Sequence, residues 1–294
     1  MRLTPRDIAL IQAVYRYRVL RRDQAQRLLF PSKNTANQRL KRLHEHGYLA
    51  RRRLPVEYGQ GSAQALYMLA TRGATLVAEE RGLDLAEIGW RRCHNRVSSP
   101  FLEHTLMIND VRLAVELASR EQQWAIETWL PEEELKARPD RVPIETEAGQ
   151  RRRLTLIPDA YFRLVQGSKR ASFFLEADRA TETNGRWAQK AQAYLAYVQS
   201  GAYLRRYGSN CLRVLVVATS ERRMDNLLRA TSRACAADGQ GLFWFTTLER
   251  IEPETVLDTP IWQVAGGRGL RPLVTPEPRR VHSADQVLQP PNHP

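Results

Sequence analysis

Asp159, Glu176, Asp178 and Lys190 have the types and spacing to hold a metal ion against a phosphate. Asp159 follows Pro158 in IPDAYF, Glu176 and Asp178 stand two apart in FFLEADRATET, and Lys190 follows in WAQKAQAYLAY. Residues two apart on a strand point to one side, so both acids of the second segment share a face. Hard carboxylate oxygens suit Mg2+ or Mn2+, with Asp159 and Glu176 as the expected ligands. An ion held there would lower the pKa of a water and steady a pentavalent phosphate. The Lys190 ammonium would offset charge on the phosphate or orient the water. Glu103, in LEHTLMIND, is placed to reach the same point from an earlier helix. Each residue also has a plainer reading: Asp159 as a turn cap, Glu176 and Asp178 as an ion-pair network with Arg179, and Lys190 as a solvated helix residue.

The flanking pattern supplies the elements that must position these groups. Residues 100–119 read as a long helix, with Leu102, Leu106, Val111, Leu113, Val115 and Leu117 apolar. Residues 124–130 read as a strand, and residues 132–150, acidic and weakly patterned, as a surface insertion. Strands follow near residues 154–164 and 171–176, then a helix over 184–203. Residues 212–219 form an uninterrupted apolar run, the mark of a strand buried on both faces. A helix over 222–237 and a strand over 241–246 complete the order α-β-β-β-α-β-α-β, an α/β core. Trp187, Tyr194 and Tyr197 share one helix face and read as core.

The N-terminal segment has another character. Thr4 and Pro5 read as an N-cap and first helical position. Helices then follow over residues 5–18, 22–30 and 33–46, the last stopped by Gly47. Strands over 48–54 and 65–70 surround the turn Tyr58-Gly59-Gln60-Gly61-Ser62, and a further helix covers 72–81. Three helices and a two-stranded wing make a winged helix-turn-helix, in which the third helix enters the major groove of DNA. Its solvent face offers Lys33, Asn34, Asn37, Gln38, Lys41 and Arg42, side chains that read base edges or hold phosphate. Arg51, Arg52 and Arg53 on the first wing strand would track the backbone. The expected organisation is a winged helix over 1–82, a connector over 83–99, an α/β domain over 100–265 and a disordered Pro/Arg-rich tail over 266–294.

Charge agrees with this division. Of 45 basic residues only five are lysine, and the net charge is +13. Residues 1–60 hold fourteen basic side chains against four acidic ones, most of the surplus in a fifth of the chain. Arginine forks pair with phosphate, so the expected partner is double-stranded DNA. Cys93, Cys211 and Cys235 form no CxxC pattern, which favours a reducing cytoplasm. No apolar run approaches a membrane span, and no GxxxxGK[ST] motif supports ATP-driven action.

Pro158-Asp159 followed by Glu176 on the next strand resembles the PD-(D/E)xK nuclease superfamily, a restriction-endonuclease-like α/β fold. That pattern has Lys two residues after the Glu; here Asp178 stands there, and Lys190 takes the part of a migrated lysine. Over a longer span, the winged-helix opening, EHTLMINDVRLAVEL, IPDAYF, LEADRATE and W-x-x-K-x-x-x-Y are similar to the replication-relaxation family. That resemblance implies handling of plasmid or mobile-element DNA in replication or mobilisation. A relaxase, a replication initiator or a second copy of the chain is the implied partner.

Three functions remain open from sequence: a metal-dependent DNA nickase or endonuclease, a non-catalytic DNA-binding regulator or accessory factor with a degenerate nuclease fold, and a protein-interaction adaptor. A steep salt dependence of DNA affinity separates the third from the others.

Overall fold

The computed structural model describes residues 1–54, 64–145 and 151–275, with backbone only for 144, 145, 151, 152 and 238. The expected wing turn at 58–62 lies outside them. Helix α1 (Pro5–Tyr17) starts at Thr4, whose side chain and Asp7 cap each other reciprocally. Strand β1 (Val19–Arg21) leads to α2 (Arg22–Leu29), and Ser32 caps α3 (Lys33–Glu45). Strands β2 (Leu49–Arg53) and β3 (Ala65–Leu69) close a three-stranded antiparallel sheet in the order β1-β3-β2, followed by α4 (Thr71–Arg81). These helices and strands form the N-terminal unit. Leu10, Val14, Leu40, Leu43, Leu49 and Val77 fill its core. Strand β1 was not expected; three residues are too few to show a period.

Helix α5 (Ser99–Glu121) begins the second unit. Then come β4 (Ala125–Pro131), α6 (Glu132–Ala137), β5 (Asp140–Glu145), β6 (Arg151–Leu156), β7 (Ala160–Gln166) and β8 (Lys169–Asp178). They are followed by α7 (Asn184–Gln199), α8 (Ala202–Tyr207), β9 (Arg213–Ala218), α9 (Glu221–Ala234), α10 (Ala237–Gln240), β10 (Phe243–Thr247), β11 (Trp262–Val264) and β12 (Leu270–Arg271). A seven-stranded sheet runs β12-β11-β10-β9-β8-β7-β4, with β8, β9 and β10 parallel and the rest antiparallel. Phe173, Leu175, Leu215 and Val217 face α5, while Phe174, Val214, Val216 and Phe245 face Trp187, Tyr194 and Tyr197 of α7. The sheet is thus sandwiched between helices, and the α/β order read from sequence is present.

Three expectations change. Residues 132–150 are not a plain surface insertion: they carry α6 and the first strand of the β5–β6 ribbon, and Leu135 and Val142 are buried beside α7. Residues 184–203 hold two helices, because Gly201 turns left-handed at φ +68° and starts α8. The tail does not begin at Gly266. Strand β12 pairs with β11, and Leu273 and Val274 are buried in the core; residues 276–294 lie outside the described range.

The two units share α5 rather than meeting through a free connector. Leu113 packs in the core of the N-terminal unit, Leu102 and Leu106 pack with Val19, Leu66 and Met68, and Met107 and Val111 pack under the large sheet. The side-chain amide of Asn109 donates to the carbonyls of Tyr17 (3.1 Å) and Val19 (2.7 Å). Arg21 pairs with Asp110 at 2.7 Å. Residues 83–99 fold back as well: Ile88 joins the core of the N-terminal unit, and Asn95 donates to the Leu69 carbonyl at 2.9 Å.

Candidate nuclease-like centre and nucleic-acid interface

Glu176 sits near the carboxyl end of β8, on the face covered by α7. This is the end of a parallel strand at which open α/β sheets place ligands. Thr183 caps α7, its hydroxyl accepting from the Arg186 N–H, and so fixes where the helix begins. Lys190 and Tyr194 lie four apart on α7 and therefore share a face. The Lys190 ammonium pairs with one oxygen of Glu176, and the Tyr194 hydroxyl donates to the other. Asp159, just before β7, accepts from the backbone N–H of Ala177 at 2.7 Å, the peptide directly after Glu176. His104 of α5 reaches Asp159 from the opposite side, Nε2 to Oδ1 at 3.1 Å. The structure thus brings Asp159, Glu176 and Lys190 together, and adds His104 and Tyr194.

The electrostatics follow from this packing. Burial pushes the Glu176 carboxyl up to about 7; the Lys190 charge opposes the rise and the Asp159 charge adds to it. Burial also acts to raise Asp159, but the His104 hydrogen bond and charge, Lys190 and the Ala177 N–H hold it below its ordinary value. His104 is raised: burial works against it, and the bond to Asp159 outweighs that. Lys190 is likewise held above its usual value, burial being outweighed by Glu176 and Asp159. Two buried carboxylates that repel each other would be relieved by a cation. Mg2+ is commonly held by one or two carboxylates together with waters and substrate phosphate, so the pair is sufficient in number for such an ion, while each of its four oxygens already accepts a hydrogen bond. Among the described residues no three or more His, Cys, Asp or Glu side chains are grouped to hold a metal alone. A cleft of about 60 Å³, bounded by Asp159, His104, Pro131 and Glu132, borders the cluster.

Two expected members are committed elsewhere. Asp178 shares the face of Glu176, as its spacing requires, but Arg223 of α9 grips it with both nitrogens, at 2.7 and 2.8 Å. The Ala180 N–H also donates to it at 2.8 Å, where the chain leaves the strand at φ +61°. Asp178 therefore ties α9 to β8. Glu103 is held by Arg179, which also donates to the Pro100 carbonyl at 2.9 Å. On α5 it is the next residue, His104, that faces Asp159. No sequence pattern marks His104, and the helix-face spacing reads Tyr194 as core alone. The available signals were adjacency to Glu103 and the four-residue step from Lys190.

In the N-terminal unit, α3 buries Ala36, Leu40 and Leu43 and exposes Lys33, Asn34, Asn37, Gln38, Lys41 and Arg42. Among the described residues only Lys41 of these approaches a carboxylate, Glu45 at 3.8 Å. Arg39 instead turns inward to fully buried Asp7, pinning α3 to α1. Arg51 and Arg53 are exposed, whereas Arg52, on the other side of the strand, donates to the Val97 carbonyl at 2.5 Å. Period-two alternation removes Arg52 from the expected backbone-tracking row.

A family model described as Replication-relaxation matches residues 11–212. No curated protein matches the chain. Among solved structures, the restriction endonuclease FokI aligns at 14% identity over 83% of this chain and 43% of that chain, TM-score 0.30. FokI bound to DNA aligns at 12% identity over 84% of this chain and 43% of that chain, TM-score 0.29. This chain spans less than half the length of those chains, and overlap at this level carries no argument about fold or activity. Among the described residues no helix is long and apolar enough to cross a membrane.

Proposed function

The chain belongs to the replication-relaxation family, and from that premise we propose that it is a duplex-DNA-binding protein whose second unit carries a divalent-metal-dependent phosphodiesterase centre. The observation that carries DNA binding is the face of α3, where six polar and cationic side chains stand exposed over a buried apolar stripe. Asn and Gln would read adenine edges; Lys and Arg would take guanine or phosphate. Plasmid or mobile-element DNA is the substrate in this reading, with a relaxase, a replication initiator or a second copy of the chain as partner.

The hydrolytic part rests on the Asp159, Glu176 and Lys190 cluster. Asp159 and Glu176 would hold Mg2+ or Mn2+ jointly with substrate phosphate. The ion, when bound, would supply a Lewis acid that polarises the phosphate and lowers the pKa of an attacking water. Lys190 would release Glu176 and turn its ammonium to the phosphate as charge develops there. His104 would orient Asp159, and Tyr194 would orient Glu176. One observation favours a second reading, a DNA-binding factor with a non-catalytic scaffold: both oxygens of Glu176 are already occupied, by Lys190 and Tyr194.

Affinity for duplex DNA measured against salt tests the binding. Each phosphate contact releases counterions, so Lys41→Ala combined with Arg42→Ala is expected to lower the slope of log affinity against log salt by about 1–2. Unchanged affinity and slope would remove α3 as the reader. Calorimetric titration with Mn2+ in the presence of DNA tests the centre; binding is expected for the wild type and not for Asp159→Asn.

A further inference from the structure

A larger cavity lies between the N-terminal unit and the large sheet; it shares Phe101, Arg112 and Trp129 with the cleft beside Asp159, but neither Glu176 nor Lys190 lines it. Its volume is about 380 Å³, within the range of small-molecule sites. Trp90, Phe101 and Trp129 supply aromatic walls, and Arg18, Arg81 and Arg112 supply guanidiniums. With Arg16 the lining holds four cations, against two carboxylates, Glu133 and Glu134.

Arg112 is the unusual member. It is only 9% exposed. Its guanidinium lies 4.7 Å from the Tyr17 ring centroid and 4.8 Å from that of Trp129. It donates to the Arg16 carbonyl at 3.1 Å, yet among the described residues it makes no ion pair within 4.0 Å. The nearby carboxylate, Glu116, is shared by Tyr17, Arg120 and, at 3.6 Å, Arg16. Burying a guanidinium with no carboxylate in direct contact is costly, and the charges of Glu116 and Glu134 offset only part of that cost, so an electrostatic demand is left at this wall. Arg18 adds to it from a left-handed backbone at φ 62°, over the Phe101 ring and paired with Glu133. With Arg16 paired to Glu116 and Arg18 to Glu133, Arg81 and Arg112 stand against Glu134 alone, and this surplus of one positive charge beside a flat ring complements a planar aromatic group bearing a phosphate monoester.

We propose that this cavity binds a nucleoside monophosphate, its base against Trp90 and its phosphate toward Arg112 and Arg81. The same chemistry arises as a free nucleotide or as the 5′-phosphorylated end of a strand. A ligand there touches α1, α5, β4 and the segment after α4, so it would brace the two units against each other. This does not rest on hydrolysis at Asp159 and Glu176.

The test is titration of the full chain with AMP in chelator-containing, low-salt buffer, followed by calorimetry and tryptophan fluorescence. Adenosine and inorganic phosphate serve as controls. The chelator separates this result from metal chemistry. Saturable AMP binding is expected, tighter than either control. Arg81→Gln, at the exposed rim, is expected to weaken it by roughly tenfold, the loss of one charge-assisted hydrogen bond. Arg112→Lys, which keeps the charge but loses the fork, is expected to weaken it too. A 5′-phosphorylated tetranucleotide binding more tightly than AMP assigns the site to strand ends, and the reverse assigns it to free nucleotide. Absent saturation, equal affinity for inorganic phosphate, or unaltered binding by folded Arg81→Gln would overturn the proposal.

Discussion

Lys190 and Glu176 form a buried ion pair across the gap between α7 and β8, and one helical turn on, Tyr194 closes the other side of the same carboxylate. Burial there favours the neutral acid, and the Lys190 charge opposes it. Asp159 sharpens this, since its own negative charge lies close enough to raise Glu176 further. The cluster therefore stores a charge imbalance that either a proton or a divalent cation would relieve.

That imbalance sets a pH dependence in the absence of metal. Glu176 is raised from 4.5 to about 7 in the folded protein. The folded state thus keeps a proton that the unfolded chain gives up at lower pH. The associated stability is fully present below about pH 4.5 and is lost as pH rises through about 7. His104, also raised, acts with the same sign; comparison with Glu176→Gln isolates the carboxyl. In chelator, wild-type stability relative to Glu176→Gln is expected to fall by on the order of 2–3 kcal/mol between about pH 5 and about pH 8. Thermal unfolding curves that run parallel across this range would show Glu176 ionised throughout.

Asp178 and Arg223 make a different prediction, because their role is to join α9 to β8. Arg223→Leu leaves a carboxylate buried without its partner, at a cost of about 3–5 kcal/mol. Adding Asp178→Asn removes the stranded charge and should recover part of that loss. Denaturant unfolding of the single and double variants measures it; an Arg223→Leu protein as stable as wild type contradicts the structural role.

Asn109 reports on the union of the two units. Its amide satisfies two buried carbonyls at the end of α1 and in β1. Asn109→Leu strands both, so stability is expected to drop by about 2–6 kcal/mol, at about 1–3 kcal/mol per unsatisfied group. The N-terminal unit should also become more sensitive to proteolysis than the large sheet. Equal protection of both units, with no loss of stability, would mean that α5 holds them by apolar packing alone.

Much of this architecture is legible in the sequence because it is local. The alternation in FFLEAD puts Glu176 and Asp178 on one face, the apolar run over 212–219 marks a central strand, and Thr4, Ser32 and Gly47 punctuate the first helices. Partner choice is less legible, because it depends on residues far apart. Arg223 lies 45 residues from Asp178 and Arg179 lies 76 from Glu103, and no local pattern predicts either pairing. His104 and Glu103 differ by one helical step, about 100°, and only the packing of α5 on the sheet decides which faces Asp159. The short strands β1, β11 and β12 carry too few residues for a period, so the sheet extends beyond the boundary drawn at 265.

Cleavage of supercoiled plasmid in Mg2+ or Mn2+ tests the hydrolytic centre most directly. Wild type is expected to convert it to open circles or linear DNA. Asp159→Asn and Lys190→Met, shown by unfolding and by DNA affinity to be folded and binding, should be slower by at least roughly 100-fold. Equal cleavage by all three, or none by any of them, would contradict it and leave a DNA-binding scaffold.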